Sequence, residues 1–500
     1  MSSLSTHTPV HPAAGAEIAA DAEASTDAGN ASTAVSSADL SFAEGLRYVT
    51  TQDAPVTPWE AGHKPSLAEL REHFGPIFDR IASGASEREA HRVLPFVEIA
   101  ELNRAGFTVL RVPTEYGGPG VSFTDWVQLL IDLAAADPNI AHQYRSHAGF
   151  VETLRYQDEQ TRQYWYAKVL AGDVVGNAST EIGGNALNTL NTTLAVQADG
   201  TGVLNGAKYY CTGTAYATHT RVSATLLDAD GTPTEGRQFA VVSTRAPGVE
   251  LEDDWNGFGQ SLTGTGTTRF TDVKVAPEHI LNRVPGSAEA QFEAPLFQLV
   301  LLAVLAGIAR NVVDDAAAGV RRRTRSFNTG LGVPHSEDPQ ILGVVGRLSA
   351  QAFVVESAVV EAARRLEAAE GVLSLEGEDA GTGDGNGDAD TGAAATGNTD
   401  AGTGAATDTA QRLLTEAELA VERAHVTVPG IVTSICSDLF LTGGASNTSR
   451  EKNLDRHWRN AQTVATHNPL VFRERIIGDY LVNGTVPEGL NAIGEVRRAS

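Results

Sequence analysis

LNTTLAVQADG at Leu190–Gly200 and TGVLNGAKYYCTG at Thr201–Gly213 decide the fold, because here the apolar pattern shortens to alternation between glycine-rich breaks. RVSATLLDADG (Arg221–Gly231), RQFAVVSTRAPG (Arg237–Gly248) and TTRFTDVKVAP (Thr267–Pro277) repeat the pattern. Short alternating runs bounded by Gly, Asp and Pro read as β-strands. Several of them close together predict a small antiparallel barrel or sandwich over residues 171–284. Asn205–Gly206 is the expected hairpin turn, since both residue types tolerate positive φ.

On either side the period is helical. In SFTDWVQLLIDLAAADP (Ser122–Pro138), Ser122 and Asp125 have capping-box spacing. Trp126, Leu129, Leu130 and Leu133 then mark one apolar face, and Pro138 follows the expected end. These belong to a helical region over residues 41–170. In LSAQAFVVESAVVEAARRLEAAEG (Leu348–Gly371), Leu348, Ala352, Val355, Val359, Ala362 and Leu366 mark another face, within a second helical region over 285–490. Pro429 is expected to kink or start a later helix. Helices, strands, then helices give an α+β succession without the βαβ alternation of a dinucleotide-binding fold.

Two stretches carry little to bury. Residues 1–40, rich in Ala, Ser and Thr, are expected to be a disordered tail. Residues 371–408 combine glycine with acids from Glu376 to Asp408 and no base, and are expected to be a disordered insertion between two helices. Within them Asp384, Asn386, Asp388 and Asp390 loosely imitate a calcium loop. The downstream glutamate is missing, so no metal site is expected.

The 500 residues are 42% hydrophobic and 20% charged, with a formal net charge of −25. That charge argues against nucleic-acid binding and against attraction to an anionic membrane. Cys211 and Cys436 form no disulfide framework or metal spacing, and two reduced thiols are expected. The N-terminus lacks a signal-peptide pattern, and the longest apolar run, Leu299–Ala309, is short for a bilayer. A cytoplasmic location is the expectation.

Several local sequences, in this order, resemble the acyl-CoA dehydrogenase superfamily over roughly residues 45–490. They are RVPTEYGGPG (Arg111–Gly120), GNASTEIGGNA (Gly176–Ala186), NGAKYYCTG (Asn205–Gly213), FTDVKVAP (Phe270–Pro277) and LTGGASNTSREKNLDRHWRNAQTVATHNP (Leu441–Pro469). HWRNAQTVATHNP, GFGQSLTGTGTTRF and DYLVNG are most similar to the branch of flavin-dependent monooxygenases that includes dibenzothiophene monooxygenase and sulfur-acquisition oxidoreductases. The resemblance implies an N-terminal helical domain, a central antiparallel β-barrel, a C-terminal four-helix bundle and a homotetramer. It also implies a two-component monooxygenase: reduced FMN, rather than FAD, comes from a separate flavin reductase. Oxygen is then transferred through a flavin C4a-(hydro)peroxide to a small apolar substrate, for which a sulfur compound is one option.

The side chains agree that dehydrogenation is not the chemistry. A dehydrogenase needs a carboxylate to remove the substrate α-proton. Aligned on the C-terminal motif, the family's tyrosine and glutamate fall on His467 and Asn468, and an amide has no basic group to offer. His467 is the replacement actor, an imidazole able to donate or accept near neutral pH. His457 is expected to pack or cap. Ser179, Thr180 and Thr212 match positions that face the flavin. Arg325 matches an arginine against the cofactor phosphate, often across a subunit interface, and Gly443 and Gly444 would let backbone approach the flavin. Tyr116 and His147, with His142 as an alternative, fall in segments expected to line the substrate side. Glu293, in FEAPLFQLVLLAVLAG, keeps open an FAD-dependent acyl-CoA dehydrogenase with a relocated base. A non-catalytic flavin-binding protein is the third alternative.

Overall fold

The computed structural model describes residues 35–60, 62–183, 190–228, 230–234, 237–281, 287–379 and 400–487. The N-terminal helices are α1 (Phe42–Thr50), α2 (Leu67–His91), α3 (Phe96–Arg104), α4 (Phe123–Ala136), α5 (Pro138–Thr153) and α6 (Glu159–Leu170). Their starts follow the sequence: Ser41 with Glu44 and Ser66 with Glu69 close reciprocal capping boxes. Ser122 caps α4, whose Trp126, Leu129, Leu130 and Leu133 are buried as the spacing predicts. Pro138 is the first residue of α5, where a missing N–H costs nothing. Of the expected tail, Ser36–Leu40 is placed: Ser37 is buried and its hydroxyl donates to Glu98 Oε2 at 2.6 Å.

The strands are β1 (Val175–Ala178), β2 (Thr193–Val196), β3 (Gly202–Lys208), β4 (His219–Leu227), β5 (Gln238–Ser243), β6 (Val249–Leu251), β7 (Thr268–Val275) and β8 (Ile280–Leu281). They run in the order β6-β7-β3-β2-β4-β5-β8, with β1 joined to β4. Both β1 and β2 pair with β4 in parallel, so the sheet is mixed and not antiparallel. It is also an open half-barrel ending at β6 and β8, which corrects the expected closed barrel.

A second correction concerns Asn205–Gly206. These residues lie inside β3, opposite Thr193 and Phe270, at a register shift. The turn between β2 and β3 is instead Gln197–Thr201, where Gln197 N–H donates to Thr201 O and Asp199 accepts from the Thr201 amide. Gly206 has φ +142°, and a Cβ there would stand 2.6 Å from Thr192 Cα. The glycine serves a close approach between strands, not a reversal.

The C-terminal helices are α7 (Ala288–Arg322), α8 (Pro339–Asp379), α9 (Asp400–Asp438), α10 (Asp455–Ala465) and α11 (Leu470–Asn483). Leu348, Val355, Val359, Ala362 and Leu366 are buried along α8, and Ala352 packs at the edge of the same core. Pro429 lies within α9 and does not begin it. One apolar cluster joins α2–α5 to α7–α10; two smaller ones sit between α5, α6 and the sheet, and inside the sheet. Helices α8 and α9 extend into the stretch expected to be disordered. The calcium-like residues and residues 1–34 lie outside the described residues.

Three helical stretches, Glu289–Arg322, Pro339–Gly371 and Thr409–Thr442, are long and apolar enough to cross a membrane by length and composition. This corrects the inference drawn from Leu299–Ala309 alone. The first is mostly buried within the protein, as an all-round apolar helix must be in a large core.

Candidate active site

A cavity of about 660 Å³ opens between the sheet, α5, the N-terminal part of α7 and the turn that follows α10. Its sheet side presents hydroxyls. Thr212 Oγ1 lies 2.9 Å from Thr265 Oγ1, which lies 2.7 Å from Thr263 Oγ1, whose hydroxyl donates to Gln260 O. Ser179 and Thr180 follow β1, with Ser179 Oγ donating to Asn177 Oδ1 at 2.9 Å. Tyr210, at φ +58°, and Trp255 meet edge to face 5.8 Å apart and supply flat apolar surface at the mouth.

Helix α5 contributes His142, Arg145 and Ser146, which sit at i, i+3 and i+4 and so share one face. His142 Nδ1 donates to Gln260 Oε1 at 2.8 Å, and its buried Nε2 has no partner. The Gln260 backbone N–H in turn donates to Asn460 Oδ1 at 2.6 Å, tying α5, the 257–267 loop and α10 together. The loop and α10 touch so closely that a Cβ on Gly259 would stand 2.1 Å from Arg459 O. From the turn after α10, His467 reaches a ring-centroid distance of 6.2 Å from His142. Asn468 Nδ2 donates to Gln298 Oε1 at 2.8 Å and to His467 Nδ1 at 3.2 Å.

Glu293 is the only carboxylate among the described cavity-lining residues. It is not poised alone: its Oε1 accepts from the Arg221 guanidinium, with both side chains buried. Arg221 also stacks 4.5 Å over Phe239 and donates to Thr153 Oγ1.

The cavity thus gathers His467, Asn468, Ser179, Thr180 and Thr212 from the expected set. Five expected residues lie elsewhere. His147 is on the far side of α5, because five residues is about 140° of helical rotation. Its Nε2 meets Thr108 O at 2.9 Å and its Nδ1 accepts from the Val175 amide at 3.2 Å. The Tyr116 hydroxyl donates to Glu159 Oε2 at 2.8 Å, and its ring packs on Tyr166, so the tyrosine seals α6 and not the cavity. Arg325 is exposed; its neighbour Arg323 makes the built contact, donating to Gly443 O at 3.0 Å and Ser446 Oγ at 2.8 Å. Arg323 and Gly443 line a separate basic recess of about 380 Å³ with Asp315, Arg322, Lys452 and Arg456. Gly444 sits beside it against Phe327. His457 is buried with Nε2 2.8 Å from Asp315 Oδ2, a packing role. Sequence reading passed over Arg145, Thr263 and Thr265, although helical spacing from His142 marks the first. Among the described residues no cluster of His, Cys, Asp and Glu could hold a metal ion, and both cysteines are buried and free.

Burial pulls the His142, His147 and His457 imidazoles down to about 4. The folded chain therefore keeps them neutral where the unfolded chain, titrating near 6.5, takes up protons. Unfolding binds protons between those values, so stability rises with pH across that window and is lost as pH falls. Each ring contributes up to about 1.4 kcal/mol per pH unit. The thermal midpoint should drop steadily from pH 7 to pH 5; a flat profile would mean that these rings are charged in the fold.

Comparison with known proteins matches this architecture. The family models for the N-terminal, middle and C-terminal domains of acyl-CoA dehydrogenase match residues 69–173, 177–273 and 385–472. The chain belongs to the acyl-CoA dehydrogenase superfamily. Within it, the chain is 26% identical over 445 residues to a dibenzothiophene monooxygenase of Rhodococcus qingshengii, covering 86% of this chain and 96% of the relative. It is 27% identical over 429 residues to a Pseudomonas putida protein named "Probable FMNH2-dependent monooxygenase SfnC", covering 85% and 96%. In fold it is similar to FMN-bound TdsC from Paenibacillus sp. A11-2, with TM-score 0.71 and 24% identity over 84% of this chain and 99% of that one.

Proposed function

We propose that the protein is a two-component monooxygenase that takes reduced FMN from a separate flavin reductase and uses oxygen to oxygenate a small, largely apolar organic molecule, with organosulfur compounds as the first class to test. The observation that carries this is the carboxylate count of the cavity: among the described residues its one acid is paired with Arg221, while His467 and His142 face each other across the space. Full-length similarity to dibenzothiophene monooxygenase supports the same chemistry.

The residues present fit a flavin. The cavity has the volume of a cofactor site. Its hydroxyl-lined wall and the unpartnered buried His142 Nε2 and Gln260 Nε2 suit a planar group with a polar edge. Ser179, Thr180 and Thr212 would hold that edge without adding charge. When bound, reduced flavin would supply the electrons and activate oxygen. The protein's part is to orient, exclude water and hold a proton at His467. We assign Arg323, Gly443 and Gly444, with Arg325 nearby, to the cofactor phosphate of a neighbouring copy in a homotetramer. Exposed Phe353, Val354, Val471, Phe472 and Leu481 on α8 and α11 support such an assembly. Helices α7–α10 are read as the four-helix bundle, with domain limits at 170 and 284. A cytoplasmic location accords with the need for a reductase partner.

The test is product formation from a panel of sulfides, sulfones and sulfinates. It should require oxygen, FMN and an added flavin reductase together. Turnover without the reductase, or reduction of bound flavin by an acyl-CoA under anaerobic conditions, would replace this function with dehydrogenation.

A further inference from the structure

Arg145 is a cation the fold has surrounded but not neutralised. It sits on the cavity face of α5 beside His142 and Ser146. Its Nε donates to Phe297 O at 3.0 Å, and its guanidinium lies 4.5 Å over the Phe297 ring. Those contacts use one N–H and one face. Among the described residues no carboxylate pairs with it, and the nearby acid, Glu293, is taken by Arg221. Among the described cavity-lining residues, both Arg145 and Arg221 stand near that one carboxylate.

Arg145 is half-buried; drawing a charge partly out of water with no carboxylate in contact is costly, and arginine does not escape by losing its proton. Burial draws its pKa down to about 10, which leaves it charged at neutral pH. Of the groups around it, Glu293 on α7 attracts the charge from beyond ion-pair distance while it is held by Arg221. The imidazoles of His142 on its own helix, His467 after α10 and His425 on α9 are all drawn toward the neutral form, with the Arg145 charge adding to the effect. What remains to complete the site is a ligand that brings its own negative charge. Beside the guanidinium, Phe297, Ala290, Ala294 and Phe239 form an apolar wall.

We propose that Arg145 anchors an anionic head on the substrate, so that the cavity takes a small organic anion with an apolar tail in preference to a neutral molecule of the same shape. This rests on the cavity being the substrate site, and it narrows the substrate class given above. A planar fork suits a sulfinate, sulfonate or carboxylate through paired N–H donors. The same chemistry would also suit the phosphate of a flavin, and the test separates the two sources.

Benzenesulfonate and the near-isosteric neutral methyl phenyl sulfone are titrated calorimetrically into the full-length flavin-free chain and into Arg145→Gln and Arg145→Lys. FMN is titrated into each in parallel. The wild type should prefer the sulfonate by about tenfold or more, the worth of a charge-assisted hydrogen bond. Arg145→Gln should erase that preference, Arg145→Lys should keep part of it, and FMN affinity should stay within about threefold in both, well below that hydrogen-bond effect. Equal binding of the two ligands, no binding of the sulfonate, or a sulfonate preference that survives Arg145→Gln would overturn the proposal. So would a tenfold loss of FMN affinity in the variants, which would give the guanidinium to the cofactor phosphate. If Arg145→Gln melts early, the comparison of the two ligands in wild type and Arg145→Lys still decides. Because no turnover is involved, a chain that binds the sulfonate through Arg145 yet never consumes oxygen would sink the monooxygenase function and leave the anion site standing.

Discussion

His467→Ala should cut oxygenated product by about 10²–10⁴-fold, the usual worth of a positioned proton donor or acceptor, while FMN still binds. Asn468 Nδ2 has two hydrogens and spends one on Gln298 Oε1 and one on His467 Nδ1. A neutral imidazole that accepts at Nδ1 carries its proton on Nε2. The ring is open to the cavity, and the crowding of the cavity walls, with the charge of Arg145 and the neighbouring His142 and His425 rings, lowers the His467 pKa from its ordinary value. The ring therefore works as a neutral donor of fixed tautomer and not as an imidazolium. It follows that wild-type single-turnover rates should not decline as pH rises from 6 to 8, since no protonated histidine is lost there. Product formation by His467→Ala equal to wild type would remove the residue from the chemistry.

The second large effect is on stability. Glu293→Gln leaves the Arg221 guanidinium buried beside a neutral amide, and breaking a buried pair in this way costs about 3–5 kcal/mol. Urea denaturation should show a markedly lower midpoint with an unchanged slope. Pairing Glu293→Gln with Arg221→Met should restore much of the loss, because the uncompensated charge goes too. A variant as stable as wild type, in a protein whose flavin is bleached by acyl-CoA only when Glu293 is present, would instead make this glutamate a catalytic base.

The parts of the fold that depend on local pattern were legible in the sequence. Five alternating runs became β2, β3, β4, β5 and β7. The strands that escaped, β1, β6 and β8, are two to four residues long, too short to display alternation. Parallel pairing of β1 and β2 with β4 links residues more than thirty apart, and nothing in a run of side chains announces its partner. Asn205–Gly206 misled because the same glycine that permits a turn also permits two backbones to crowd together. The site divides likewise. His467, Asn468, Ser179, Thr180 and Thr212 were reachable because each lies inside a short local motif that resembles the family's. The Arg221–Glu293 pair spans 72 positions and was not. Four arginines between Arg321 and Arg325 offered no way to single out Arg323, which only the fold brings to Gly443.

Helix α7 borders both concavities: Gln298 lines the larger and Asp315 the basic recess. At 1.5 Å per residue the rod sets these two points about 25 Å apart, and its buried, close-packed flanks leave little freedom to shorten that span. It acts as a ruler. Helix α10 spans the same two spaces over a shorter reach, with Thr463 on the larger and Arg456 on the recess, about 10 Å apart along its axis. The two helices together hold the spaces in one fixed relation, so a shift of either rod would be felt in both.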